Sequence, residues 1–265
     1  MTKARVLLCT SGGICATLSL QALLALEDIE IAGLFLSTRT RTPNGNFISD
    51  AIRIAQTSGL GYATYLAMGT TIFDSLRLPG VLPTVTGLAN QHRIPIFRSG
   101  NINSPNAQTW LADKNPDILL SSFFNLKLSP KTLAIPNQAA VNLHPALLPA
   151  YKGVDPVFYY FLNSEPQLGV SLHRMAEDFD TGEILAQGTM PPNRHRSVFW
   201  HNTELFRYGL RLFQEWVQGS ASIADQGNTE LTDQYDSWPL PVQVKSVNHP
   251  LCRFSDLWEQ ARRAF

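Results

Sequence analysis

Two polar residues at the end of an apolar run have side chains suited to carbonyl chemistry. Asn142 and His144 close the segment Ala-Ala-Val-Asn-Leu-His, and side-chain alternation along a strand would place both on one face. At the carboxyl end of a parallel strand, that face meets the crevice where α/β proteins bind ligands. His144 could act as a base or, when charged, as an electrostatic stabiliser. Asn142 could donate an amide N–H to a developing oxyanion.

A carboxylate that orients or charges the imidazole is the usual third group of such a site. The segment Asp-Phe-Asp-Thr-Gly offers Asp178 and Asp180 in a loop between two predicted strands. With no reactive Ser or Cys nearby in the sequence, the set favours direct transfer without a covalent enzyme intermediate. The alternative remains open at this point, because a lone His after a strand is often structural and an Asp-rich loop is often a turn.

The elements that must position these residues begin with a βαβ unit. Residues 4–9 form an apolar strand, 15–27 an amphipathic helix and 29–36 a second buried strand. A crossover of this kind predicts a parallel sheet with helices on its faces, hence an α/β fold.

The turn of this unit and the loop after its second strand could bind an anion. Ser11, Gly12 and Gly13 form the turn, which lacks the dinucleotide fingerprint but could present backbone N–H groups at a helix N-terminus; a plain tight turn is the alternative. Arg39 and Arg41 are candidates for phosphate recognition, although a solvated loop explains them equally well.

The α/β pattern continues after residue 92. Further strands are predicted at 93–97, 117–121, 139–143, 169–175 and 184–188, and further helices at 105–114, 129–134, 157–163 and 200–217. Ser104 and Pro105 provide the N-cap and first position of the helix at 105–114. The pattern of residues 47–90 predicts one or two helices with a stripe of aromatic side chains. These side chains either pack in the core or belong to a segment that covers the substrate. Residues 219–236 predict a polar link, followed by a short tail around Trp238.

The composition predicts a soluble globular protein with a small-molecule substrate. Of 265 residues, 44% are hydrophobic and 16% charged, and 21 basic residues balance 21 acidic ones. Proteins that grip long polyanions usually carry a basic excess, so a nucleic-acid partner is not expected. The three cysteines lack zinc-ligand spacing, so neither a metal site nor a disulfide framework is expected. No signal peptide or membrane span is predicted, which favours the cytoplasm.

Three motifs in order resemble the folate-dependent formyltransferase family, which includes glycinamide ribonucleotide, methionyl-tRNA and amino-sugar-nucleotide formyltransferases. They are Asn-Leu-His-Pro-Ala-Leu-Leu-Pro-Ala-Tyr-Lys-Gly, Gly-Val-Ser-Leu-His-Arg-Met and Asp-Phe-Asp-Thr-Gly-Glu-Ile-Leu-Ala-Gln. The resemblance covers about residues 117–190 and, more weakly, 4–36. It implies a Rossmann-like, mostly parallel sheet and 10-formyltetrahydrofolate as donor. The family's catalytic Asn, His and Asp fall on Asn142, His144 and Asp180.

The same resemblance implies a donor pocket built from a strand-end segment and the loop before the catalytic Asp. The positions that correspond are Phe123, Phe124, Asn125, Leu126, Asp178 and Phe179. Phe123 and Leu126 could equally be ordinary core residues. The domain organisation expected is a catalytic domain at 1–190 and a short helical and irregular extension at 191–265.

Departures from the family pattern bear on the acceptor. Ala146 stands where many members have Ser, so one hydroxyl contact is absent. The residues after Met190 do not read as the C-terminal barrel of the transfer-RNA enzymes. An amine of a small molecule, such as an amino-sugar nucleotide, is therefore the expected acceptor. Alternatives are a formyltetrahydrofolate hydrolase, a methionyl-tRNA formyltransferase-like enzyme and a non-catalytic folate- or nucleotide-binding module. A homodimer is left open.

Overall fold

A twisted sheet forms the centre of the protein. The computed structural model describes residues 3–40, 45–72, 83–221 and 235–262. Its strands are β1 (Ala4–Thr10), β2 (Ile29–Ser37), β3 (Ile96–Ser99), β4 (Ile118–Ser122), β5 (Ala139–His144), β6 (Lys152–Gly153), β7 (Leu168–Arg174), β8 (Ile184–Met190) and β9 (Tyr235–Asp236). Seven of them form one sheet in the order β3-β2-β1-β4-β5-β7-β8, and β6 pairs separately with β9. The first five in that order are parallel, whereas β7 and β8 are antiparallel.

Helices cover both faces of this sheet. They are α1 (Gly13–Leu24), α2 (Phe47–Ser58), α3 (Leu60–Ala67), a π-helical turn at Met68–Ile72, α4 (Val85–Gln91), α5 (Pro105–Asp113), α6 (Pro130–Leu133), α7 (Pro156–Leu162), α8 (Val198–Val217), α9 (Pro241–Ser246) and α10 (Phe254–Arg262). The predicted cap of α5 is confirmed, since the Ser104 hydroxyl accepts a hydrogen bond from Ala107 N. None of the helices in the described ranges combines the length and apolar character that a membrane crossing needs.

The alternating side chains of β1 divide the core into two layers. Val6 and Leu8 belong to the layer that includes residues of α1 and α8, whereas Leu7 and Cys9 belong to the layer that includes residues of α5. All four are fully buried. Each large apolar side chain contributes about 1.5–3 kcal/mol when buried. The side chains of β1 therefore stabilise the packing of helices on both faces of the sheet and hold the strand in place.

The predicted α/β fold with a mostly parallel sheet is confirmed. The predicted strand at 93–97 was placed too early, because Arg93 has a left-handed φ of 56° and Ile94 N still bonds to the end of α4; β3 begins at Ile96. The short tail predicted around Trp238 is followed by two helices, α9 and α10. Residues 73–82 of the predicted helical segment and 222–234 of the predicted link lie outside the described residues.

Candidate active site

Asn142 is held between the two strands that flank β5. Its cross-strand partners are Ser121 on β4 and His173 on β7. The Ser121 hydroxyl donates to Asn142 Oδ1 at 2.7 Å, and Asn142 Nδ2 lies 3.0 Å from His173 Nε2. Both neighbours are almost fully buried, so the sheet register itself fixes the position of the amide.

The bonds of His173 fix the direction of that amide. His173 Nδ1 lies 2.8 Å from Arg174 O, and since a carbonyl only accepts, Nδ1 carries the proton. Burial and, to a smaller extent, the positive charge of His144 lower the pKa of His173 to about 4. His173 is therefore neutral, and its Nε2 accepts from Asn142. One amide hydrogen of Asn142 remains for a ligand.

Each ring nitrogen of His144 faces an oxygen atom, a backbone carbonyl on one side and a carboxylate on the other. Its Nε2 lies 2.9 Å from the carbonyl oxygen of Tyr151 and must donate to it. Its Nδ1 lies 3.5 Å from Asp180 Oδ1, and the two side chains are only 7% and 8% exposed. Nδ1 thus faces the carboxylate, and a ring protonated at this nitrogen as well would direct its positive charge towards Asp180. His144 is thus suited to electrostatic stabilisation of a developing negative charge.

Two glycines hold the Asp180 carboxylate in place. Gly153 N donates to Asp180 Oδ2 at 3.0 Å from a backbone with a φ of 109°, where a Cβ would lie 2.2 Å from Asp236 O. Gly182 lies so close to β7 that a Cβ would be 1.8 Å from Arg174 O. Asp180 itself has a left-handed φ of 57°, a conformation that Asp tolerates better than most residues. Close backbone packing therefore aims this carboxylate at His144.

A cavity of about 700 Å³ opens above the three side chains. Its volume is typical of small-molecule sites. The structure brings the predicted catalytic set together in its lining, with Asn142, His144 and Asp180 all present. No group of three or more His, Cys, Asp or Glu side chains that could hold a metal ion occurs within the residues described.

The residues predicted for donor binding lie together in one part of the lining. They are Phe123, Phe124, Asn125, Leu126, Asp178 and Phe179. A salt bridge of 2.9 Å between Lys127 and Asp178 joins the strand-end segment to the loop before Asp180. Hydrogen bonding by the Lys127 ammonium lowers the pKa of Asp178. Leu126 is 5% exposed and packs in the second core layer, so its side chain is largely structural.

Of the residues predicted to bind an anion, two line the cavity and two form the tight turn before α1. Ser11 lines the cavity, and Arg39 does so while donating to the carbonyl oxygen of Asn125 at 3.2 Å. Gly12 and Gly13 have φ values of 88° and 79°. A Cβ on Gly13 would lie 2.6 Å from the carbonyl oxygen of Gly69 in the π-helical turn. Close packing therefore explains why glycine occupies this position. Arg41 lies outside the described residues.

Several residues of this site are not evident from the sequence. His173, which the sequence presents only as the histidine of the motif Gly-Val-Ser-Leu-His-Arg-Met, contacts Asn142 because an antiparallel strand brings it there. Asp155, Tyr65 and Trp238 also line the cavity. The segment before α9 returns to the site because Tyr235–Asp236 pairs with Lys152–Gly153.

The fold and this site define an α/β protein with an Asn, His and Asp set suited to group transfer at a carbonyl-type carbon. A family model described as formyl transferase matches residues 63–198, just over half of the sequence. The chain belongs to the formyl transferase family.

Two curated relatives are similar to part of the chain, and a solved structure shares its fold. The chain is 40% identical over 97 residues to the bifunctional polymyxin resistance protein ArnA of Wigglesworthia glossinidia brevipalpis, a match that covers 37% of the chain and 15% of the relative. It is 32% identical over 155 residues to methionyl-tRNA formyltransferase of Thermotoga maritima, covering 58% and 48%. The matches thus span less than half the length of either relative. Phosphoribosylglycinamide formyltransferase from Anaplasma phagocytophilum shares the fold, with a TM-score of 0.57, 16% identity and coverage of 89% and 100%.

Proposed function

We propose that this protein transfers a formyl group from 10-formyltetrahydrofolate to an amine of a small molecule. The observation that carries the proposal is the convergence of Asn142, His144 and Asp180 in one cavity that continues to the segment 123–126. A site for two substrates needs both a reaction centre and an adjoining surface for the donor, and this cavity offers both.

The donor is assigned to the side of the cavity formed by the strand-end segment and the Asp178 loop. Phe124 and Phe179 offer apolar surface for an aromatic ring system, and the phenylalanine at 123 has its backbone fixed by bonds from Ser11 N and Thr10 Oγ1 to its carbonyl. Exposed polar groups at Asn125 and the Lys127–Asp178 pair border this surface. These residues would bind and orient the donor.

In the reaction we infer, the neutral acceptor amine attacks the formyl carbon held on N10 of the folate. A new C–N bond forms and the carbonyl oxygen becomes negative. The remaining amide hydrogen of Asn142 and the positive charge of His144 stabilise that oxyanion, and Asp180 holds the imidazolium. The bond to N10 then breaks, and the proton lost by the amine passes to the leaving nitrogen. Asp180 is the group we assign to assist that proton relay.

An amino-sugar nucleotide is the acceptor we propose to test first. The formal net charge of zero gives no reason to expect a transfer RNA. Arg39 lies at the cavity wall and could meet a phosphate, while Asp155 lies elsewhere in the same lining. A molecule with an anionic and a cationic part would match both.

Formyl transfer from 10-formyltetrahydrofolate to a panel of amines tests the proposal. The wild type should consume donor only with an accepted amine, and His144→Gln and Asp180→Asn should each lower kcat by about 10²–10³-fold. His92→Gln, at an exposed histidine outside the cavity, is the matched control and should keep full turnover. Donor loss without any amine would instead indicate a hydrolase. Unchanged turnover in both site variants would refute the assigned roles.

A further inference from the structure

A tyrosine outside the catalytic set supplies the carbonyl that accepts from His144. Tyr151 O lies 2.9 Å from His144 Nε2. Tyr151 has a left-handed φ of 55°, a conformation that bulky residues rarely adopt. Two residues later, Gly153 N donates to Asp180 Oδ2 at 3.0 Å. The tripeptide 151–153 therefore contacts both members of the His144–Asp180 pair through its backbone.

The side chain of Tyr151 is anchored at the C-terminal end of α7. Its hydroxyl donates to Glu165 Oε1 at 2.6 Å and accepts from Asn163 Nδ2 at 3.1 Å. Its ring lies against that of Tyr160, with the centroids 4.3 Å apart and the planes inclined by 32°. Burial raises the pKa of the Tyr151 hydroxyl, so the group keeps the proton that it donates. These contacts can offset the cost of the left-handed backbone, which persists only where the surroundings hold it.

The turn after α7 is built so that it presents these three groups together. Glu165 N donates to Tyr160 O and Ser164 N donates to Phe161 O, which is the hydrogen-bond pattern of a Schellman motif. Ser164 occupies the left-handed position of the motif with a φ of 56°, where glycine is usual. A carboxylate at the C-terminal end of a helix is unfavourable for the helix itself. The stability of α7 therefore gives no reason for a glutamate at position 165.

The two ends of the tripeptide are held by different parts of the chain. Gly153 pairs with Asp236 in the ladder of β6 and β9, and Val154 N donates to Asp236 O at 2.8 Å. Tyr151 precedes that ladder, and its side chain contacts the end of α7 instead. Loss of the tyrosine anchor should therefore release the carbonyl that accepts from His144, while the N–H that donates to Asp180 stays in place.

We infer that Tyr151 is a positioning residue, and that the contacts of Glu165 and Asn163 with its hydroxyl keep its carbonyl at His144 Nε2 during transfer. The inference rests on the proposed function, since it concerns the same reaction centre. With the carbonyl in place, Nε2 donates to Tyr151 and Nδ1 faces Asp180. Without it, the imidazole ring can rotate and lose both contacts. Tyr151 acts through His144 in this scheme and not on the substrate.

Four variants separate the anchor from the backbone that it holds. Glu165→Ala and Tyr151→Phe each remove the contact between hydroxyl and carboxylate, and should lower kcat about 3- to 10-fold with nearly unchanged Michaelis constants. Tyr151→Gly loses the ring contact as well, although glycine adopts a left-handed φ readily, and should lower kcat further. Glu165→Gln keeps an acceptor for the hydroxyl and should retain a rate close to that of the wild type.

Glu30→Ala is the matched control for Glu165→Ala. It also removes a glutamate with one side-chain partner, here Arg5. Glu30 lies near the start of β2, at the opposite end of the parallel strands from the site. Its replacement should leave kcat unchanged.

A spectroscopic measurement reports on His144 directly and needs no donor or acceptor. The chain contains six histidines, so a sample labelled with ¹⁵N in the histidine rings gives few signals, and His144→Gln identifies the one from His144. The Nε2–H proton should exchange with water about 3- to 10-fold faster in Glu165→Ala and Tyr151→Gly than in the wild type. Glu165→Gln and Glu30→Ala should exchange at the rate of the wild type.

Faster exchange together with a lower kcat would support the inference. An unchanged exchange rate in both Glu165→Ala and Tyr151→Gly would overturn it, as would a wild-type kcat in both. If the wild type transfers no formyl group to any amine, the proposed function fails, and the exchange rates alone still decide whether Tyr151 positions His144.

Discussion

Replacing Ser121 with Ala tests whether the orientation of the Asn142 amide controls the rate of transfer. The change removes the 2.7 Å hydrogen bond to Asn142 Oδ1 and leaves that buried oxygen without its donor. The bond to His173 still favours the same amide direction, because a reversed amide would place its oxygen against the unprotonated Nε2. We therefore expect the Asn142 amide to become less strictly oriented in this variant while the site remains assembled.

The magnitude follows from the one bond removed. A net hydrogen bond is worth about 0.5–1.5 kcal/mol, which corresponds to a fall in kcat of about 2- to 13-fold. Removing the whole donor in Asn142→Ala should cost about 10²–10³-fold. The Michaelis constants should change little, because the amide acts mainly on the oxyanion of the transition state.

Ser122→Ala is the matched control for this experiment. Ser122 is the next residue of β4 and is equally buried, but its hydroxyl bonds to Ser19 of α1 on the other face of the sheet. Both variants lose one buried hydrogen bond and should lose about 1–3 kcal/mol of unfolding free energy, measured by denaturant titration. Only Ser121→Ala should slow formyl transfer in steady-state assays. Equal kcat values for the two variants would refute the reasoning.

Three further changes have expected outcomes. Burial raises the folded pKa of Asp155 to about 6 from about 3.9 when unfolded, so its contribution to stability is lost as pH rises from about 4 through 6. Asp155→Asn lacks this loss and should gain about 1–3 kcal/mol relative to wild type between pH 4 and 7 in urea titrations. Gly182→Ala places a Cβ 1.8 Å from a carbonyl oxygen of β7 and should displace Asp180, lowering kcat at least about tenfold while circular dichroism stays native. Asp256→Ala removes a 1% exposed carboxylate that accepts from Ser197 N and Oγ, and should cost about 2–4 kcal/mol by thermal unfolding.

The parts of the fold that depend on local patterns could be predicted from the sequence. Apolar runs predicted the bounds of the central strands to within a few residues. The alternation of side chains along a strand predicted that Asn142 and His144 lie on one face of β5. Ser104 with Pro105 predicted the start of α5, which the hydrogen bond from Ala107 N confirms. These features follow from the alternation of side chains and from capping chemistry, which act over a few residues.

The parts that depend on distant pairing could not be predicted. His173 reaches Asn142 only because β7 runs antiparallel to β5, and no local pattern specifies that register. The Tyr151 carbonyl and the Gly153 N–H orient His144 and Asp180 through the backbone, where the identity of the residue gives little information. Trp238 reaches the cavity through the pairing of β6 with β9, a contact across more than eighty residues of sequence.

The most direct test of the account follows the formyl group itself. The protein is mixed with 10-formyltetrahydrofolate labelled in the formyl carbon and with an amino-sugar nucleotide or another amine of the panel, and the label is traced by mass spectrometry. The account predicts that the label appears on the acceptor nitrogen and that transfer falls by about 10²–10³-fold in Asn142→Ala. Absence of labelled amine with every acceptor although the donor binds, or equal transfer by Asn142→Ala, would contradict it.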